Sequence, residues 1–195
     1  MPRSGKQARR RLQQATLELF REHGYDATTT AAIAARAGVT ERTFFRHFSD
    51  KREALFDGEE AFRTALGHAV RAAPEELGPI EALLTAFRSV EPTLERNRSF
   101  TEPRQAVIAQ SPALQERVLM KTATLTAALA EALRYRGVKD GVATLAAQAG
   151  MAAFSRATHM WLADPAAGLN HCLDRAMEEL RGLTSPPGTK DTGQR

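Results

Sequence analysis

The chain has 195 residues, 43% of them hydrophobic and 26% charged, which is enough to bury a full core and excludes a disordered or fibrous protein. Its longest apolar stretches are interrupted by Arg, Gln or Thr within a few residues, which excludes a membrane span. The net charge of +4 is unevenly spread: residues 1–52 hold eleven Lys/Arg against five acids, a net +6, and the remainder is slightly acidic. Basic charge gathered in one segment is the electrostatic footprint of a nucleic-acid-binding module.

In chain order, almost every segment reads as helix. Ala8, Leu12, Ala15, Leu19 and Phe20 fall at the three-and-four spacing of one helical face, and Gly24 stands where that helix should end. Two short pieces follow, Ala31–Gly38 and Thr40–His47. A longer helix is predicted from Ser49–Asp50 to Ala72, with Asp50 or Ser49 as its cap and Glu53 completing a capping arrangement. Pro74, Gly78 and Pro79 then punctuate the chain. Helix resumes near Ile80 with Leu83, Leu84 and Phe87, a short helix is predicted from Pro103 to Gln110, and a long one from Pro112 to Tyr135. An Ala-rich helix over 140–162 and an apolar-striped one over 167–183 complete the set. No strand alternation is found, so an all-α fold of nine or ten helices is expected, with residues 185–195 as a disordered polar tail.

The stretch Thr28–Phe56 carries the function. Two short helices are joined by a tight turn at Ala37-Gly38-Val39, where Gly38 supplies a positive φ. Ala34 is small where the helices cross, and Ile33, Val39, Phe44 and Phe48 form a core against Leu12, Leu19 and Phe20. Thr40 caps the second helix and leaves Arg42, Thr43 and Arg46 outward. This is the arrangement in which a helix enters the major groove and reads base edges with its first turns.

Gly24, Tyr25, Thr28, Thr29, Ile33, Ala34, Ala37, Gly38, Val39, Thr40, Thr43, Phe44, Phe45, His47, Phe48, Lys51 and Leu55 together resemble the DNA-binding region of the TetR family of one-component bacterial regulators. The resemblance implies an N-terminal three-helix helix-turn-helix domain over 1–52. It also implies a helical ligand-binding and dimerisation domain over 53–184. Arg42 and Thr43 match positions where the family contacts bases, and Thr29, Thr40, His47 and Lys51 match positions of phosphate contact. Phe45 stands where most members have Tyr and cannot donate a hydrogen bond to phosphate; the neighbouring Arg46 can compensate by charge. Arg42 replaces a residue that is often small and can pair bidentately with guanine. Arg9, Arg10 and Arg11 are further candidates for the DNA backbone or minor groove.

The family pairs through its last two long helices, a role that suits the helices over 140–162 and 167–183, so a homodimer on a palindromic operator is implied. Its middle helices enclose an effector pocket, and Leu84, Phe87, Val107, Met120, Leu125, Leu129 and Phe154 are the matching apolar positions, with Trp161 beside them. The helix beginning SPALQERV resembles a subgroup of actinobacterial regulators, some of which sense acyl-CoA or other lipophilic ligands. Arg88, Arg96, Arg98 and Arg104 can serve an anionic ligand or lie as surface charge.

Other chemistry finds no support in the sequence. His171-Cys172 is adjacent rather than spaced for a metal, and no P-loop, dinucleotide glycine pattern or activated nucleophile is present. No cofactor, metal, membrane partner or enzymatic activity is expected. A single Cys172 and an N-terminus without an apolar segment point to the cytoplasm. The expectation is a DNA-binding repressor released by a small effector. Its rivals are an architectural DNA binder and a protein-interaction module.

Overall fold

A computed structural model describes residues 3–164 and 166–183; the expected tail over 185–195 lies outside the described residues. Among them are eleven helices and no strand. They are α1 (Arg3–Ala27), α2 (Thr30–Arg36), α3 (Glu41–His47), α4 (Lys51–Leu55), α5 (Glu59–Ala72), α6 (Pro79–Ser89), α7 (Glu91–Arg96), α8 (Arg98–Ala109), α9 (Pro112–Tyr135), α10 (Asp140–Ala163) and α11 (Leu169–Gly182). The chain forms two compact units, one of residues up to Ala65 with Glu95–Thr124, the other of Leu66–Leu94 with the residues from Leu125 onward.

Two expectations are corrected. The single helix predicted from residue 49 to Ala72 is two, α4 and α5, because Gly58 takes a left-handed φ of +90°. Asp57 holds the break by accepting a hydrogen bond from the Gly58 amide at 2.9 Å. The short helix predicted to begin at Pro103 begins instead at Arg98, so Pro103 lies inside α8, and α7 precedes it. Each break adds a helix to the expected count.

In the first unit, α1 bends at Gly24 (φ +80°), the predicted end of its regular run. The α2–α3 turn is a Schellman motif: Gly38 at φ +65° donates to Ala35 O and Val39 donates to Ala34 O, both at 3.0 Å. Thr40 and Asp50 cap α3 and α4 by accepting backbone N–H bonds. The core gathers Leu12, Leu19, Phe20, Ile33, Phe44, Phe48, Leu55 and Phe56, and adds Val107, Ile108 and Leu114 from α8 and α9. Burying each of these side chains is worth about 1.5–3 kcal/mol, so this cluster fixes how α3 is rolled.

The second unit packs α6 and α11 against α10. Phe87 stacks on Phe154 at 4.5 Å, and Gly150 lets α6 come close: a Cβ there would meet Leu83 Cδ1 at 2.9 Å. Trp161, Leu169 and Leu173 are fully buried, and the Cys172 thiol is buried beside them. Arg136, beside the left-handed Gly137 that ends α9, donates to the carbonyls of Val70, Ala73, Pro74 and Leu77 and so caps the C-terminal end of α5. Glu91 accepts from the Asn170 backbone N–H at 3.1 Å and from its side chain, and so caps the start of α11.

Candidate DNA-binding surface

Phe44 is the inward anchor of α3, with no exposed surface, and this single constraint sends its neighbours outward. Arg42, Phe45 and Arg46 are exposed, while Thr43 and His47 are half-buried. The exposed face begins at the Thr40 cap, whose oxygen accepts from the Thr43 amide at 3.2 Å and lies 3.1 Å from the Thr43 hydroxyl. Thr29 caps α2 in the same way, accepting from the Ala32 amide at 3.1 Å. Thr30 donates to the Glu41 carboxylate at 2.5 Å and ties the two helices together at their starts. Phe45 is 53% exposed and meets Phe44 edge-on at 5.4 Å, so the ring that replaces the usual tyrosine is held at the surface.

Lys51 is placed differently from the rest. Its ammonium donates to the carbonyls of Tyr25 at 2.6 Å, Thr28 at 2.8 Å and Asp26 at 3.5 Å, and lies 4.2 Å from the Tyr25 ring centroid. Burial holds it below the usual lysine range, with Asp26 opposing. It closes the end of α1, and what it can offer a nearby phosphate is charge rather than a free donor. His47 Nε2 is buried without a hydrogen-bond partner among the described residues. Burial first, then the charges of Arg46 and Arg9, keep this imidazole below its usual pKa.

The basic charge of the segment is sorted by its pairings. Arg9 is bound to Asp57 and lies 4.8 Å from the Phe48 ring centroid, so it is a strut rather than a DNA contact. Arg36 pairs with Glu22 at 2.8 Å and with Glu18 at 3.6 Å, and Arg52 pairs with Asp50 at 3.2 Å. The Arg36 guanidinium holds the Glu22 carboxyl below the usual range. Lys6, Arg10, Arg11, Arg21, Arg42 and Arg46 hold no ion pair among the described residues. Two of those six stand on the outward face of α3. The internal roles of Arg9 and Lys51 are not legible in the sequence, since neither partner set is local in the chain.

The expected effector residues fall in both units. Leu84, Phe87, Leu129 and Phe154 are buried in the second unit, where Leu125 is half-buried. Val107 belongs to the first unit's core and lines a cleft of about 250 Å3 with Phe20, Tyr25 and Gln110. Met120 departs from the expected lining role, standing 57% exposed on α9. Among the described residues no His, Cys, Asp and Glu side chains gather as a metal site, and no helix is long and apolar enough to cross a membrane.

Comparison with known proteins agrees with this geometry. Residues 12–57 match the family model of bacterial regulatory proteins of the tetR family, and residues 77–184 match the MftR C-terminal domain. The HTH-type transcriptional regulator TcmR of Streptomyces glaucescens is 40% identical over 74 residues, 38% of this chain. The match spans only 33% of TcmR. The fold is that of Thermus thermophilus FadR, a TetR-family repressor solved with lauroyl-CoA (TM-score 0.57, 22% identity, 95% of this chain and 100% of that one). It is also that of SmeT of Stenotrophomonas maltophilia solved with triclosan (TM-score 0.64, 20% identity, 96% and 99%). The chain belongs to the TetR family of bacterial transcriptional regulators.

Proposed function

We propose that this protein is a ligand-responsive repressor that binds a palindromic operator as a homodimer and is released by a small lipophilic effector. The observation that carries the reading is the outward face of α3. Among the described residues Arg42 and Arg46 are unpaired there, beside the Thr43 hydroxyl, on a helix whose roll is fixed by buried Phe44. Arg42 and Thr43 read base edges. Thr29, Thr40 and His47 contact phosphates, Lys51 and Arg46 add charge, and Phe45 supplies an apolar contact at the same surface.

Two copies pair through α10 and α11. Val142 at 51% exposure and Leu145 at 67% give α10 an outward apolar edge that a second copy would cover. A twofold dimer carries its reading heads about 34–36 Å apart, one turn of duplex. The effector site is apolar, drawn from Leu84, Phe87, Leu125, Leu129 and Phe154. Relatives of the same fold have been solved with lauroyl-CoA and with triclosan, which supports a lipophilic ligand for this chain. A ligand acts only through differential affinity for the DNA-binding and released states.

The test is fluorescence anisotropy on an operator fragment, titrated with lauroyl-CoA and with triclosan, alongside sedimentation of the free protein. A sedimenting dimer whose DNA is released by either compound supports the reading. A monomer, or DNA binding that ignores both compounds and a wider lipophilic panel, contradicts it.

A further inference from the structure

Three cations and two carboxylates gather in the first unit around Phe56, away from the outward face of α3. Arg104 comes from α8, Arg117 and Lys121 from α9, Glu53 from α4 and Glu59 from α5. The Lys121 ammonium lies 2.8 Å from Glu59 and 3.8 Å from Glu53, and Arg117 Nη2 donates to Glu53. The Arg104 guanidinium and the Lys121 ammonium stand 5.7 Å and 5.1 Å from the Phe56 ring centroid. The cluster therefore holds one cation more than it has carboxylates.

Beside this excess stand two buried guanidinium N–H groups, Nε of Arg104 and Nε of Arg117, and among the described residues neither has a hydrogen-bond partner. Among the described residues Arg104 makes no ion pair, and the charge of Glu59 reaches it only through space. Buried donors are satisfied in the great majority of folded proteins, and a buried charge needs a counter-charge. Two unmet guanidinium N–H groups beside a surplus positive charge are what an oxyanion would complete, since a guanidinium fork matches the oxygens of a carboxylate or phosphate. Burial holds the Glu59 carboxyl above the usual carboxylate range, with the Lys121 ammonium opposing.

We propose that Arg104, Arg117 and Lys121 form a binding site for the anionic group of a small molecule, a carboxylate or a phosphate. The proposal rests on the reading of the protein as ligand-responsive and concerns the first unit alone. The cluster joins α8 and α9 to α4 inside the same compact unit as α3, so filling it bears on the elements that carry the reading helix.

The probes are sodium phosphate and sodium acetate, each exchanged against sodium chloride at constant pH and ionic strength. The readout is the 1H–15N signal of each arginine Nε–H in the full chain, with Arg104→Lys and Arg117→Lys used to assign the two signals. Both signals are expected to move saturably with one shared Kd, and Lys121→Gln, which keeps both arginines, is expected to weaken that Kd about tenfold. Saturation by phosphate alone identifies a phosphate, and saturation by acetate alone a carboxylate. Saturation by both with equal Kd identifies a site that reads charge only, and each of these results supports the proposal. No saturable movement with either anion, or an unchanged Kd in Lys121→Gln, overturns it. Release of operator DNA by lauroyl-CoA or triclosan is scored separately. DNA release without any Nε–H response overturns this site alone, whereas an Nε–H response with no compound releasing DNA overturns the effector reading and leaves the anion site standing.

Discussion

Arg9 and Asp57, 48 residues apart in the chain, form a two-pronged ion pair in which Nε meets Oδ2 at 2.6 Å and Nη2 meets Oδ1 at 2.5 Å. The same guanidinium faces the Phe48 ring and reaches the His47 carbonyl at 3.4 Å. One arginine on α1 therefore holds the end of α3 and the break between α4 and α5 together. Exposed ion pairs are worth about 0.2–1 kcal/mol and a cation over a ring about 0.5–1 kcal/mol. Arg9→Ala is thus expected to lower unfolding stability by about 1–2 kcal/mol. A double-mutant cycle with Asp57→Asn should return a coupling of about 0.5–1 kcal/mol. Denaturant unfolding of the four proteins measures it, and additive effects would remove the strut.

Arg42 is exposed on the first turn of α3 and unpaired among the described residues. Its replacement by Ala is expected to cost about 1–3 kcal/mol on the operator and to relax selection at one base position. Binding to a library of single-base operator variants reads this directly. Equal weakening on every variant would assign Arg42 to phosphate instead.

Phe45 presents a ring with no donor where its position calls for one. Phe45→Tyr adds a hydroxyl at the surface and should tighten binding by about 1 kcal/mol, roughly fivefold, on operator and random duplex alike. Affinities for both duplexes are the measurement. A gain confined to the operator would mean that the ring lies against a base rather than the backbone.

His47 contributes a pH dependence whose sign follows from its depressed pKa. The unfolded chain takes up a proton on this ring near pH 6.5, before the folded chain does, so stability is full above that value. It falls as the pH drops from about 6.5 toward the lower folded pKa, and levels off below it. His47→Gln should flatten this part of a melting-temperature profile between about pH 7.5 and 5. Profiles of equal slope would show that the buried Nε2 is not the group that titrates.

The α2–α3 unit was legible in the sequence because its determinants are local. Gly38 sets the turn, Thr40 the cap, and Phe44 the inward face, all within seven residues. The α4–α5 break was not legible. Asp57-Gly58 is tolerable inside a helix, and Arg9, which engages Asp57, comes from another element. Pro103 misled for a related reason: it reads as a helix start, yet α8 runs through it from Arg98. Counting charges identified the basic segment. Only packing sorted Arg9, Arg36 and Lys51 from the free Arg42 and Arg46, since their partners lie fourteen to forty-eight residues away. The anion cluster was half legible: Arg104 stood out as a candidate for an anionic ligand, but Arg117 and Lys121 join it only through the fold.

In the proposed dimer, α3 reads sequence in a twofold arrangement. The purified protein should be presented with genomic fragments, and its affinity for the most enriched one measured against random duplex at two salt concentrations. The expected outcome is enrichment of a palindrome with half-sites about one turn of duplex apart, bound at least about a thousandfold more tightly than random DNA at the same salt. Both affinities should fall as salt rises, because phosphate contacts release counterions. Salt-dependent binding that ignores sequence, or no binding at all, would contradict it.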